Sequence, residues 1–314
     1  MIVTIAALVA GVVLLASAAD QFVLGAARVA LIRRLSPLVV GVVIIGFGTS
    51  SPELLVSAIA AAGGDPEIAV GNIVGSNIAN LSLLVGLGAL IVPIAVASST
   101  VRREAPLTVA AMIAFAVAVQ GGIGAVEGAV LLVGLGLALW QVTRGSRTSP
   151  DDPLGPEAVE LADATHHSLR AEAVRTVLGL VGTVAGAQLL LWAAVDVADR
   201  AGLEEGFVGA TLVAVGTSLP ELVTVVQSAR RRETDLIVGN LLGSNLFNAF
   251  GVGGVIGLIG ATGIDDTGLT RVAAGAAIVV SVAAWIAMRT RRVVDRSEGA
   301  VLIALYAVLV PFLA

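Results

Sequence analysis

The chain has 314 residues, 57% of them hydrophobic before its 37 glycines are counted, and only 13% charged. Average soluble chains are about 45–50% apolar with glycine included and about 25% charged, so a mean hydropathy of +0.99 leaves too little polar surface to cover a globule in water. A soluble fold is excluded, and a net charge of −5 without a polybasic tail gives nucleic acid nothing to bind.

A helix crosses the apolar core of a bilayer with about 20 residues. Ten such stretches follow one another: about 2–19, 37–62, 66–94, 105–120, 124–142, 171–195, 203–228, 235–260, 270–288 and 297–313. The first ends in Ala16-Ser17-Ala18-Ala19, which has the look of a signal-peptidase site. A secretory signal needs a basic start, however, and no basic residue precedes Arg28, so a retained helix is expected. Connections are short except at 143–170, where Pro150, Pro153, Pro156 and the acids Asp151, Asp152, Glu157, Glu160 and Asp163 predict a solvated linker between halves 1–142 and 171–314. All 18 basic residues are arginine. With the N-terminus outside, 16 of them fall inside and only Arg200 and Arg271 outside, as the excess of positive charge in cytoplasmic loops requires. The expectation is an all-α, multi-pass protein of the cell membrane with both termini outside; the bilayer is a partner, and no protein partner can be inferred.

The two halves repeat each other. Gly48-Thr49-Ser50-Ser51-Pro52-Glu53-Leu54 in the second span returns as Gly216-Thr217-Ser218-Leu219-Pro220-Glu221-Leu222 in the seventh. Gly71-Asn72, Gly75-Ser76-Asn77 and Asn80 in the third return as Gly239-Asn240, Gly243-Ser244-Asn245 and Asn248 in the eighth. Each pair is offset by 168, and 14 of the 33 positions from Gly48 to Asn80 match. With five helices per half, the second span runs outward and the seventh inward. The fold expected is therefore ten transmembrane helices in two inverted-topology five-helix repeats, an architecture of alternating-access carriers with a central site.

Chemistry concentrates in the repeated motifs. Glu53 and Glu221 are the only acids away from loops and helix ends, and an acid at mid-bilayer is costly enough to imply a cationic partner. Pro52 and Pro220 each lack an amide proton and crowd the carbonyl four residues earlier, so they break their helices just before the glutamate. Carbonyls freed in this way are tolerated at membrane depth only where they line a cavity. Asn72, Ser76 and Asn80 share one helical stripe by their spacing of four, as do Asn240, Ser244 and Asn248, and both stripes are candidate ligands; Asn77 and Asn245 could equally serve as helix glue. Zero cysteines remove disulfides and thiolate sites, and the two histidines, His166 and His167, lie in the polar linker. The remaining donor set is all oxygen, which suits hard cations such as Ca²⁺ and Na⁺. No cofactor is implied. If both ions share Glu53 and Glu221, competition between them yields antiport. An enzyme using these glutamates as acid and base would lack a His, Cys or Asp partner at that depth, and a channel with a glutamate ring is disfavoured by two inverted copies in one chain.

The paired Gly-Thr-Ser-x-Pro-Glu and Gly-Asn-x-x-Gly-Ser-Asn motifs resemble the repeats of the sodium/calcium exchangers of the cation/calcium antiporter superfamily, in their short prokaryotic form. The resemblance implies Ca²⁺ held by Glu53, Glu221 and the carbonyls of Thr49 and Thr217. Sodium sites would add Ser50, Ser76, Ser218 and Ser244, with carbonyls of Gly46 and Ala214. Asn80 and Asn248 are both neutral where some members carry an acid, and Ser51 stands where an apolar residue is common. The proton-coupled calcium branch usually shows a different signature, Gly-Asn-Ala-x-Glu; H⁺/Ca²⁺ exchange is the alternative reading.

Overall fold

The computed structural model describes residues 2–33, 37–144, 168–200, 214–260, 264 and 268–309. Most of the expected linker and the first part of the expected seventh span, 203–213, lie outside these. The described chain is helical apart from one two-stranded ribbon. Seven helices are long and apolar enough to cross a membrane, or eight if a bent pair counts as one span.

The first helix, α1, runs unbroken over Ile2–Arg33, past the expected end near residue 19. Asp20 does not break it because its carboxylate pairs with Arg231 at 2.5 Å, and Phe22, Val23, Ala26, Ala27 and Ala30 beyond it are buried against Val40, Ile45 and Leu236. The bent pair is α2 (Gly41–Thr49) and α3 (Ser51–Gly63), set at 48°. After the left-handed Gly64, at φ 91°, comes α4 (Pro66–Ile91). Then follow β1 (Ile94–Ala95), α5 (Thr100–Gly121) and α6 (Ala125–Arg144).

The second half opens with α7 (Leu169–Arg200), α8 (Ala214–Thr217) and α9 (Leu219–Arg230). It continues with α10 (Thr234–Ile259), α11 (Gly268–Arg289), β2 (Val293–Val294) and α12 (Arg296–Leu309). The strands pair antiparallel, Ile94 with Val294 and Ala95 with Val293.

Helices α4 and α10 form the centre, with 78% of each apolar window buried against 22–50% in the other single spans. Ile73, Ile78, Phe115, Leu131, Ile237, Leu246, Val280 and Leu302 belong to one continuous core around them. The two 32-residue helices α1 and α7 instead lie along each other. Small residues permit the approach: a Cβ on Gly186 would come 2.7 Å from the backbone of Leu15, and one on Gly179 would come 2.5 Å from that of Phe22. Glu172 of α7, almost fully buried, joins them by accepting from Arg28 of α1 at 3.3 Å, and it forms an ion pair with Arg175 of its own helix at 3.1 Å.

Candidate functional site

The site sits where the two helix breaks face α4 and α10. Ser50 and Ser218 are the break residues, leaving the helix at φ −82°, ψ 11° and φ −87°, ψ 6°. Each proline follows within the first turn of the next helix, where a missing amide proton costs nothing, and the glutamate comes straight after. In the first copy the hydroxyl of Ser51 donates to Gly48 O at 2.7 Å, the carbonyl to which Pro52 has no amide proton to give. That gives Ser51 a structural role its sequence position did not reveal; the matching residue, Leu219, has no hydroxyl.

Glu53 and Glu221 are both completely buried, and each is held by the other half. The hydroxyl of Ser50 donates to Glu221 Oε1 at 2.8 Å, and that of Ser218 donates to Glu53 Oε1 at 3.2 Å. The threonines cross over in the same way. Thr49 Oγ1 lies 3.1 Å from Asn240 Oδ1, and Thr217 Oγ1 lies 3.5 Å from Asn72 Oδ1. Ser244 Oγ reaches Gly46 O at 3.1 Å and Glu221 Oε1 at 3.5 Å, while Ser218 Oγ approaches Ser76 Oγ at 3.5 Å. Thirteen of the fourteen residues expected at the site have described side-chain surroundings; Ala214 opens α8, and its carbonyl role stays an expectation.

The asparagines divide into two kinds. Asn72 Nδ2 donates to Ser57 Oγ at 3.0 Å and Asn240 Nδ2 to Thr224 Oγ1 at 2.8 Å, so both ends of these amides are engaged with protein. Ser57 and Thr224 escaped the motif comparison because they are not at matching positions, yet they lie four and three residues beyond their glutamates, on the same helical face. Asn80 and Asn248 are fully buried, and both open short π-helical stretches or lie within them, Asn80–Leu84 and Phe247–Val252. Such wider turns recur at functional sites. Asn245 spends its amide on the partner half, donating to Asn77 O at 3.0 Å and accepting from Asn80 Nδ2 at 3.0 Å, which is the helix-gluing role.

What the protein leaves unused is informative. Among the described residues, Glu53 Oε2, Glu221 Oε2, Asn80 Oδ1 and Asn248 Oδ1 are buried acceptors without a hydrogen-bond partner. Buried polar atoms normally find partners; these four orphaned oxygens, two of them on the carboxylates and two on the asparagine amides, make a donor set that a desolvated cation could complete. Glycines bring the walls together: a Cβ on Gly46 would meet Ser244 N at 2.8 Å, one on Gly41 would meet Gly239 Cα at 2.8 Å, and one on Gly243 would overlap Val42 O.

Residues 3–144 and 172–314 match the family described as sodium/calcium exchanger protein. The chain belongs to that family. It is an exchanger of the short prokaryotic type, a cation/calcium antiporter of the membrane. It is 39% identical over 304 residues, 93% of each chain, to the putative antiporter CaxA of Alkalimonas amylolytica. It is 28% identical over 277 residues to the sodium/calcium exchanger MaX1 of Methanosarcina acetivorans, covering 77% of this chain and 79% of that one. The solved sodium-calcium exchanger NCX_Mj, soaked with Na⁺ and Sr²⁺, superposes with a TM-score of 0.87 over 99% of this chain and 98% of its own, at 28% identity.

Proposed function

We propose that this exchanger couples inward sodium to outward calcium by alternating access, with both cations competing for Glu53 and Glu221. The single observation that carries the reading is the reciprocal pair of hydrogen bonds, Ser50 to Glu221 and Ser218 to Glu53. It makes one polar centre out of two sequence repeats. Two carboxylates balance the charge of one Ca²⁺. Replacing it with Na⁺ calls on neutral oxygens around the same acids: Ser50, Ser76, Ser218 and Ser244, the carbonyls of Gly46, Thr49, Thr217 and Ala214, and the orphaned amide oxygens of Asn80 and Asn248. Asn72 and Asn240 position this set from behind.

The reading also takes the halves, 1–142 and 171–314, as inverted five-helix repeats joined by the 143–170 linker, ten helices in all, in the cell membrane with both termini outside. Inverted copies can exchange conformations about a shared midpoint. The matching offset of every cross-contact between the Thr-Ser motifs and their acid or amide partners supports that symmetry.

The test is ⁴⁵Ca²⁺ uptake into sodium-loaded proteoliposomes, with external sodium and pH varied separately. Uptake is expected to need the sodium gradient and to disappear in Glu53→Gln and Glu221→Gln while the protein remains folded in the bilayer. Uptake driven by a pH gradient and indifferent to sodium would replace sodium with protons as the coupling ion. Calcium transport surviving in either glutamine variant would remove the carboxylate pair from the site.

A further inference from the structure

A second, positively charged cavity lies well apart in sequence from the carboxylate pair, where α5 and α11 reach the ribbon. It has a volume of about 550 Å³ and is lined by Val101, Arg102, Pro106, Trp285, Arg289 and Arg292, within the ~300–1,000 Å³ typical of small-molecule sites. Its three arginines come from different elements: Arg102 from the start of α5, Arg289 from the end of α11, and Arg292 from the turn into β2. No acid lines it, and among the described residues none of the three guanidinium groups has an ion pair or a side-chain hydrogen bond. Their neighbour Arg291 differs, lying 3.7 Å from Asp295. We propose that this cavity binds the phosphate headgroup of an acidic phospholipid.

The pocket is constructed, not incidental. Trp285 Nε1 donates to Val101 O at 2.9 Å and Val96 N to Arg292 O at 2.9 Å, tying both halves of the chain around it. Arg291 and Arg292 adopt left-handed backbone at φ 56° and 57°, a conformation that residues other than glycine rarely take. Three like charges gathered without a counter-charge call for an anion, and planar guanidinium groups match phosphate oxygens two at a time. The surroundings favour a lipid over a soluble phosphate. The cavity lies at the ends of two apolar spans, Trp285 is of the type that sits at headgroup level, and Ile286 beside it is 57% exposed, offering apolar surface to an acyl chain. Basic pockets between spanning helices are where acidic headgroups dock.

The full-length protein in nanodiscs of phosphatidylcholine and phosphatidylglycerol in equal parts provides the test, with the lipid retained after extraction counted by native mass spectrometry. The wild type is expected to retain phosphatidylglycerol preferentially. Arg102→Gln, Arg289→Gln and Arg292→Gln should each lower that preference about five-fold, the share of one arginine near a charged headgroup. Arg103→Gln, adjacent in sequence but outside the cavity, should leave it unchanged. Using three single variants keeps the test sound if one fails to fold. Equal retention of the two lipids by the wild type, or an equal loss from Arg103→Gln, overturns the proposal. Thermal stabilisation by inorganic phosphate without a phosphatidylglycerol preference would assign the pocket to a soluble anion and overturn it as well. Lipid retention is read without transport, so the result stands apart from the coupling ion.

Discussion

Ser50 and Ser218 do more than occupy a helix break. Each hydroxyl donates across to the acid of the other repeat, so the geometry around either carboxylate depends on both halves. A hydrogen bond to a charged group is worth about 1.5–3 kcal/mol. Ser50→Ala or Ser218→Ala is therefore expected to weaken calcium binding about ten-fold or more by titration calorimetry; unchanged affinity in both would place the serines outside the site. The motif residues were legible because the same residue types return at one fixed offset, a signal chance does not produce. Ser57 and Thr224 were not, because they perform the same task from positions one residue out of register. Ser51 was readable as an anomaly, though not as the donor to Gly48 O.

At the scale of elements, the sequence locates every long helix among the described residues and misjudges several ends. α1 and α7 run longer than their apolar windows because their polar residues find partners on neighbouring helices, which composition alone cannot foresee. The ribbon of two residues per strand is too short for any alternation to announce it. Close crossings occur at the motif glycines of the second half but not at Gly71 or Gly75. Gly239 and Gly243 in α10 do serve as an approach surface, and Gly41 and Gly46 face them. Gly243→Ala, whose added methyl would overlap Val42 O, is expected to cost about 1–3 kcal/mol as an overpacked contact and to lower the unfolding temperature in detergent together with transport. Gly136→Ala, with nothing within 4 Å of the added carbon, should be neutral; equal losses in the two variants would refute the close-approach account.

The last helix supplies a pH-dependent case at the same scale. Asp295 Oδ1 accepts from Ser297 Oγ, Ser297 N and Glu298 N, while Glu298 Oε2 accepts from Asp295 N at 3.1 Å, a reciprocal cap on α12. The Ser297 hydroxyl, then the Glu298 amide, holds the Asp295 carboxyl below its ordinary value. A carboxyl made more acidic by folding stabilises while it is ionised, and that contribution is lost as pH falls through its native pKa. Asp295→Ala should therefore melt below wild type at neutral pH, with the gap closing in acid. A gap independent of pH would show that the charge plays no part.

Taken whole, the molecule is a buried pair of helices, α4 and α10, surrounded by shorter or bent elements and flanked by the long α1–α7 pair. The membrane class follows from composition, because so few polar residues leave lipid as the only compatible solvent. Which atoms stay without partners at the centre could not be read from the chain, since that depends on rotamers and crossings. The lone hydroxyl of Ser51 has a last consequence. Identical copies trading places would give a carrier two resting shapes of equal energy, one open to each side. Here the two helix breaks are not identical, since Ser51 donates to Gly48 O at 2.7 Å and its counterpart Leu219 has no hydroxyl to do so, so on the alternating-access reading proposed above the two shapes differ in energy.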